Sequence, residues 1–483
     1  MTLLILLACS EQLGGLYATP FANSDEDSAV PLDDTDFVDT DQDLPPLGDD
    51  TSVVVDTGTA PVVDPCDGLG RGLCWVRSNP MVISGLVPSM GSPPQEVVGT
   101  YFGDFGANTA HLWATGLPHE VSAWRSLAGG DFRFIAWVQD DGTSASNGQV
   151  LGGVGPGAAG LVAYQVGDEP EDLAALAEMA VGVKAVQAAD PDALIIGNFS
   201  VGKPEIEQML DTFAQDMGGD ILSYDRYSYG YAEYENMMTV REAGLRHGLP
   251  YWRYLRAFET KGAEAHWPEI SDLRWQIYSG LTYGYTGHHW FVYQVGEQHL
   301  VESALFDENG VWSTPNERHA QVAELNRELM NVGSVITQLT STDVRFLPAT
   351  SVYVPEGHSL WSSGAGDDLY LRRVEAVDLW SWEFQDLVVG HFQDDAGERY
   401  LMVLNGNHAG ADWPLWTHEQ VTVELEFDFS NAPGDLQPDR MELMNAQTGT
   451  VHDHPVDNGV LRLDLLAGEA VLMKYATGAA WPG

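Results

Sequence analysis

The hydrophobic pattern between residues 79 and 340 is one of alternating strands and helices. Short apolar runs rich in β-branched residues are followed by longer stretches in which apolar residues recur at helical spacing, which is typical of a parallel α/β fold. Eight apolar runs are candidate strands: Met81–Val87, Thr109–Ala114, Phe132–Gln139, Leu161–Gly167, Ala193–Phe199, Ile221–Tyr227, Tyr251–Phe258 and His289–Tyr293.

This strand count predicts the fold class. Eight strand–helix units over about 260 residues are the number and length expected of a (β/α)8 TIM barrel. A doubly wound sheet is the alternative. It is disfavoured because Gly85-Leu86-Val87-Pro88 stands at the end of the first strand, where that fold places a glycine-rich phosphate-binding turn.

From about residue 343 onward the period of the pattern changes to two. Short segments of alternating apolar and polar residues are separated by turns such as Asn405-Gly406-Asn407. The clearest segments are Tyr400–Leu404, Val421–Phe427, Leu461–Leu465 and Ala470–Tyr475. We therefore expect four regions: an N-terminal segment at 1–23, a linker at 24–65, the barrel at 66–342 and a C-terminal β-sandwich at 343–483.

The charge of the chain limits its partners. Its 22 Lys and Arg residues against 71 Asp and Glu residues give a net charge of −49 at pH 7. Such a surface repels nucleic acid and anionic membrane faces, which are therefore not expected partners. Residues 24–64 contain no Lys or Arg and consist largely of Asp, Thr, Pro and Val, a composition that predicts a solvated spacer.

The first ten residues, MTLLILLACS, are apolar but too few to cross a bilayer. Leu6-Leu7-Ala8-Cys9 resembles the bacterial lipoprotein signal, in which cleavage leaves a lipidated cysteine at the N-terminus. The resemblance implies a lipid-anchored protein of the bacterial cell envelope, an outer-membrane lipoprotein that contacts the membrane only through its anchor. Cys66 and Cys74 are then the natural disulfide pair, which suits an exported protein.

This interpretation makes a prediction that mass spectrometry can test. Protein extracted from membranes should begin at Cys9 and carry a diacylglyceryl group on its sulfur. An intact Met1 in the same preparation would contradict the lipoprotein assignment.

Acidic residues follow several of the predicted strands. Asp168 and Glu169 end the fourth strand, Asp225 lies on the sixth, and Glu259 follows the seventh. The carboxyl ends of barrel strands meet at one mouth, where such side chains are available for function. Because strand side chains alternate, only one of Asp168 and Glu169 points inward. The alternative is that both only cap the next helix.

Aromatic and polar residues recur at the same strand ends. Paired carboxylates among aromatic rings suit glycosidic cleavage, which needs a proton donor, a second carboxylate and flat apolar faces that bind sugars. Catalytic candidates are Glu169, Asp225 and Glu259. Substrate-binding candidates are Asp168, His111, Trp113, Trp137, Asn198, Tyr227, Trp252, Arg256 and Trp290.

The segment LVAYQVGDEP, with Asn198, Asp225, Tyr227 and the turn from Tyr283 to Gly287, resembles bacterial glycoside hydrolase barrels of clan A, near the β-galactosidase-like branch. The resemblance implies that Glu169 is the general acid/base. It also implies a nucleophilic glutamate on the seventh strand, where the sequence offers only Glu259, beyond Arg256. Asp225 is the alternative nucleophile.

We therefore expect an exported glycoside hydrolase that acts on a neutral poly- or oligosaccharide, with retention of configuration favoured over inversion. The alternative is a carbohydrate-binding surface lipoprotein on the same scaffold. Other chemistries have no motif, because Gly-x-Ser-x-Gly, Walker and HExxH patterns are absent. The adjacent His288 and His289 point to opposite faces of a strand, so no metal site is predicted, and no cofactor is implied.

Overall fold

The structure is a computed structural model. It describes residues 66–88, 95–113, 117–129, 132–138, 157–260, 268–294, 301–307, 314–348, 354–362, 368–377, 386–409, 420–434 and 436–483. The predictions for Cys9 and for the linker at 24–65 lie outside these residues.

Eight parallel strands close into a barrel. They are β1 (Val82–Pro88), β2 (Ala110–Trp113), β3 (Phe134–Val138), β4 (Leu161–Val166), β5 (Leu194–Ser200), β6 (Ile221–Asp225), β7 (Tyr251–Arg256) and β9 (Gly287–Phe291). β9 pairs with both β1 and β7, which closes the barrel. A short ribbon beside it joins β8 (Phe258–Thr260) to β10 (Val301–Ser303). The predicted TIM barrel is confirmed.

Eight helices lie within the described residues. They are α1 (Arg71–Ser78), α2 (Gln95–Phe102), α3 (Leu117–Ala128), α4 (Leu173–Ala189), α5 (Ile206–Gln215), α6 (Tyr231–His247), α7 (Ile270–Tyr283) and α8 (Glu317–Ile336). Local sequence sets their ends. The Asp172 carboxylate accepts hydrogen bonds from the Ala174 and Ala175 amides at the start of α4, and Gly284 ends α7 in the left-handed conformation. In these residues no helix is both long and apolar enough to cross a bilayer.

Helix α1 closes the lower end of the barrel, where the strands begin. Its Val76 packs among inward-facing residues of the strands, and its Trp75 meets Trp252 edge to face with ring centroids 6.3 Å apart. A disulfide joins Cys66 to Cys74, the predicted pair, with their Cα atoms 4.7 Å apart. The apolar lower barrel is therefore sealed, and polar chemistry is confined to the layers above it.

The C-terminal residues form two mainly antiparallel sheets that pack as a β-sandwich, as predicted. The larger has the order β12-β11-β14-β15-β20-β17-β18 and the smaller β13-β16-β19. Their strands are β11 (Thr340–Leu347), β12 (Ser359–Leu360), β13 (Leu371–Val377), β14 (Leu387–Gln393), β15 (Arg399–Asn405), β16 (Val421–Phe427), β17 (Arg440–Met444), β18 (Val451–Pro455), β19 (Val460–Leu465) and β20 (Ala470–Tyr475). Alternate residues such as Val389, Val403 and Val423 face inward between the sheets.

Helix α7 joins the barrel to the sandwich. Every residue from Ser271 to Tyr283 except Arg274 is buried, because the helix packs against β7 on one side and against β11, β14, β15 and β20 on the other. At Gly390 the sheet lies so close that a Cβ atom would stand 2.2 Å from the Thr282 carbonyl oxygen. Residues 65–483 form one compact unit. The predicted boundary near residue 343 thus marks a change of secondary structure within a continuous core.

A single methyl group at this contact should destabilise both parts. We expect Gly390→Ala to lower the free energy of unfolding by about 1–3 kcal/mol, as overpacking does, and to shift one cooperative thermal transition. The matched control is Gly434→Ala, since nothing lies within 4 Å of a Cβ atom there. Calorimetry that resolves two transitions, with only one of them shifted, would contradict a shared core.

Candidate active site

Glu169 lies just beyond β4 in a strained backbone conformation. Its φ of 44° is left-handed, which costs a residue with a side chain about 1–2 kcal/mol. The Glu169 amide donates to the Asn198 carbonyl oxygen at 3.0 Å. Strain of this kind persists only where neighbouring contacts enforce it, and it is concentrated at functional sites.

Asp225, the last residue of β6, lies beside Glu169, and their two carboxyl groups interact. Asp225 is 8% exposed, and its Oδ2 accepts from the Tyr227 hydroxyl at 3.3 Å. No donor reaches its buried Oδ1 among the described residues. Two ionised carboxylates only accept hydrogen bonds, so a bond between them requires a proton on one.

Electrostatics favours that proton. Burial raises the pKa of Asp225 well above its usual range, and the negative charges of Glu169 and Asp168 raise it further. The raised pKa favours a protonated Asp225 beside Glu169, and paired acid and base catalysis requires such a proton on one of two carboxyl groups.

Asp168 is held by two amide donors. Gln165 Nε2 lies 3.2 Å and Asn198 Nδ2 2.9 Å from Asp168 Oδ1. The Ser223 hydroxyl donates to Asn198 Oδ1 at 3.1 Å, and the Tyr254 hydroxyl donates to Gln165 Oε1 at 2.8 Å. These contacts join five residues from the barrel strands and the β4 loop into one hydrogen-bonded network.

His111 extends the network across the barrel. Its Nδ1 lies 3.2 Å from the Tyr254 hydroxyl oxygen. Burial lowers the pKa of His111 to about 3, so the ring is neutral and can donate one N–H. The structure thus brings the predicted residues His111, Asp168, Asn198, Glu169 and Asp225 together.

Three network residues were not among the sequence candidates: Gln165, Ser223 and Tyr254. Each occupies an inward position of its strand, as Ser223 shows by lying two residues before Asp225. Polar residues of that parity are the signal that could have identified them.

Aromatic rings flank the carboxyl pair. Tyr227 stacks on Phe291 with centroids 5.4 Å apart and meets the edge of Phe258 at 4.9 Å. The Arg256 guanidinium lies 5.2 Å from the Phe258 ring centroid and 5.7 Å from that of Tyr229. Tyr227 and Arg256 were predicted. Phe258, Phe291 and Tyr229 were not, because single aromatic residues in apolar segments resemble core residues.

Trp137 is half-buried at the end of β3, where its Nε1 donates to the Gly167 carbonyl oxygen at 3.2 Å. It therefore supports the turn that leads to Glu169. Trp113 ends β2, and its side chain lies outside the described part of the structure.

The structure places two predicted substrate contacts away from the carboxyl pair. Trp252 is fully buried in the sealed lower barrel, and its Nε1 donates to Thr286 Oγ1 at 3.1 Å. Trp290 is also fully buried and donates to Asn326 Oδ1 of α8 at 2.9 Å, so it points out of the barrel. The Trp252 side chain points into the barrel but lies in its sealed lower layer, away from the mouth. The Trp290 side chain points out of the barrel, opposite to that of its neighbour His289.

Glu259 belongs to a different group of charges. It lies on β8 opposite Glu302 of β10, beyond the end of the seventh barrel strand. Burial and then the Glu302 charge raise the pKa of Glu259, while Arg256 and Arg318 oppose them. Neither Glu169 nor Asp225 is among these influences. The structure therefore pairs Glu169 with Asp225 and not with Glu259.

No protein-family model and no curated protein match the sequence. Solved structures share its fold. A glycoside hydrolase matches with a TM-score of 0.50 and 12% identity over 83% of this chain and 94% of that one. A glycoside hydrolase family 5 protein from Bacteroides vulgatus ATCC 8482 matches with a TM-score of 0.51 and 11% identity over 83% and 91% of the two chains. The chain therefore shares the fold of these glycoside hydrolases.

The protonation of Asp225 should appear in the pH dependence of stability. At pH values between about 4, the pKa of Asp225 in the unfolded chain, and its raised pKa in the folded protein, the folded protein keeps a proton that the unfolded chain releases. Stability from this group is thus complete at low pH and is lost as pH rises. Over that pH range the free energy of unfolding of Asp225→Asn should rise relative to that of the wild type by roughly 1.4 kcal/mol per pH unit.

Denaturant unfolding at several pH values measures this gain. Glu178→Gln is the control, because it removes an exposed carboxyl of α4. A pH-independent difference between wild type and Asp225→Asn would contradict the raised pKa.

Proposed function

We propose that this protein is a glycoside hydrolase that cleaves O-glycosidic bonds of a neutral poly- or oligosaccharide. The observation that carries the proposal is the interacting carboxyl pair of Glu169 and buried Asp225 at the carboxyl end of a clan A-type barrel. Glycosidic cleavage needs one carboxyl group that donates a proton and one ionised carboxylate. A pair that shares one proton supplies both.

The contact between the two groups supports retention of configuration. Inverting enzymes keep their carboxyl groups about 6.5–9.5 Å apart to leave room for a water, whereas retaining enzymes hold them at about 5–5.5 Å. Glu169 and Asp225 are close enough for their side chains to interact. If substrate entry moves the two carboxyl groups slightly apart, they reach the distance found in retaining enzymes. The distance found in inverting enzymes would need a much greater rearrangement.

We assign proton donation to Glu169, since it is less buried than Asp225 and lies in the loop over the mouth. As substrate separates the pair, the shared proton passes to Glu169. Glu169 then protonates the glycosidic oxygen while the Asp225 carboxylate attacks the anomeric carbon. The bond to the leaving sugar breaks, and an ester to Asp225 forms.

The second step restores the pair. The Glu169 carboxylate takes a proton from water, and the water oxygen displaces Asp225 from the anomeric carbon. Glu169 then holds the proton and Asp225 carries the negative charge, and release of the product lets the pair share the proton again before the next turnover.

Charge and aromatic surface support a neutral saccharide. The net charge of −49 disfavours acidic polymers. The rings of Tyr227, Phe258 and Phe291 form an apolar cluster at the mouth that suits the C–H faces of a sugar. The Cys9 signal and the Cys66–Cys74 disulfide support an exported, lipid-anchored enzyme of the cell envelope.

A carbohydrate-binding protein without activity is the second candidate. The specific observation in its favour is that β7 ends in Arg256, where the resemblance implies a nucleophilic glutamate. Such a protein would need the aromatic cluster but no shared proton.

Substrates with good and poor leaving groups separate the roles of the pair. Glu169→Gln should lower turnover of natural glycosides by several orders of magnitude and spare activated aryl glycosides, because these need little protonation. Asp225→Asn should abolish both activities, since no nucleophile remains. Glu171→Gln, an exposed change two residues away, is the matched control.

The assay begins with a glycan screen of the wild-type protein. Binding of glycans without hydrolysis would favour the second candidate. Full activity of Glu169→Gln on natural glycosides would reduce Glu169 to a helix cap and overturn its assignment. Selective loss of natural-substrate turnover in Asp225→Asn would exchange the two roles.

A further inference from the structure

We propose that Tyr254 is a positioning residue that acts through Gln165 and Asp168 to hold the Glu169–Asp225 pair. This inference rests on the proposed function, which gives the pair its catalytic role. Tyr254 itself is buried in the layer below the mouth, at 3% exposure, and its ring contacts those of His111 and His289. Its influence on the reaction would therefore pass through other side chains.

The hydrogen bonds from Tyr254 run in one direction. A tyrosine hydroxyl has a single proton, and Tyr254 donates it to Gln165 Oε1. This fixes the Gln165 amide with its NH2 group toward Asp168, where it donates at 3.2 Å. Neutral His111 completes the chain, since its N–H can donate to the Tyr254 oxygen. Loss of the Tyr254 proton would free the amide to present oxygen to the Asp168 carboxylate.

A second chain reaches Asp168 by the same logic. Ser223 donates to Asn198 Oδ1, which turns the Asn198 NH2 group toward Asp168 Oδ1 at 2.9 Å. Two buried hydroxyl groups, from β6 and β7, thus orient two amides, and both amides donate to the same carboxylate oxygen. Ser223 provides an independent route, so removal of Tyr254 alone should loosen Asp168 without releasing it.

Asp168 matters because it precedes the strained residue. Three features hold the Glu169 backbone in its left-handed conformation. They are the hydrogen bonds to Asp168 before it, the hydrogen bond from the Glu169 amide to the Asn198 carbonyl oxygen, and Pro170 after it. A shift of Asp168 would move the Glu169 carboxyl relative to Asp225. A misplacement of about 1 Å at a reacting group can cost a hundredfold in rate.

Tyr254→Phe tests the inference with little change in volume. We expect kcat to fall about tenfold to a hundredfold while KM changes little, because substrate contacts remain. The matched control is Tyr251→Phe on the same strand. The Tyr251 hydroxyl is also buried, donates to the Tyr283 carbonyl oxygen at 3.0 Å and lies outside the network. Equal kcat values for the two variants would overturn the proposal.

A double-mutant cycle tests the route. If Tyr254 acts through Gln165, then Tyr254→Phe should have little further effect on kcat in a Gln165→Met background. Additive losses in kcat would show that Tyr254 acts by another route and would overturn the inference. Either result leaves the proposed function intact, because wild-type hydrolysis is the reference for the cycle.

A third experiment needs no substrate. It tests the inference even if the wild-type protein hydrolyses no glycan, a result that would contradict the proposed function. The groups that act on Asp225 are Glu169 and Asp168 beyond β4 and Tyr227 on its own loop, with Tyr254 facing the three acids from β7. We expect Tyr254→Phe, unlike Tyr251→Phe, to reduce the pH-dependent change in stability that Asp225→Asn produces. An unchanged effect of Asp225→Asn in the Tyr254→Phe background would overturn the inference.

Discussion

Repulsion between carboxyl groups at the barrel mouth is the constraint on which the site depends. The charges that act most strongly on Asp225 are those of Glu169 and Asp168, and both are negative. The protein relieves this repulsion in two ways. The raised pKa of Asp225 favours a proton on that group, whereas Asp168 receives hydrogen bonds from the uncharged amides of Gln165 and Asn198. Because these amides are uncharged, they stabilise Asp168 without cancelling its negative charge, which still acts on Glu169 and Asp225.

The rest of the fold keeps these groups in place. Helix α1 seals the apolar lower barrel, and the buried helix α7 ties the barrel wall to the large sheet of the sandwich. Close approaches such as Gly390 against Thr282 leave little freedom between the two parts. The layer of side chains beneath the mouth therefore rests on a rigid core, which is what a strained Glu169 backbone requires.

Sequence periodicity predicted the architecture because each strand carries a local apolar run, and the eight predicted strands correspond to the eight strands of the barrel. The site was only partly predictable. Its place at the end of a predicted strand identified Asp225 as a candidate, but Trp252 lies too deep in the barrel to reach the mouth, and Trp290 points out of the barrel. Glu259 lies beyond β7 in sequence, and the ribbon carries it toward Glu302. These outcomes depend on long-range packing, which local patterns do not encode.

Infrared spectroscopy tests the central claim, the shared proton, most directly. A protonated carboxyl group has a carbonyl stretching band that an ionised carboxylate lacks. In the wild-type protein at pH 7 this band should be present, and it should disappear in Asp225→Asn while remaining in the surface variant Glu178→Gln. A carbonyl stretching band at pH 7 that Asp225→Asn leaves unchanged would mean that Asp225 is ionised and would contradict the account.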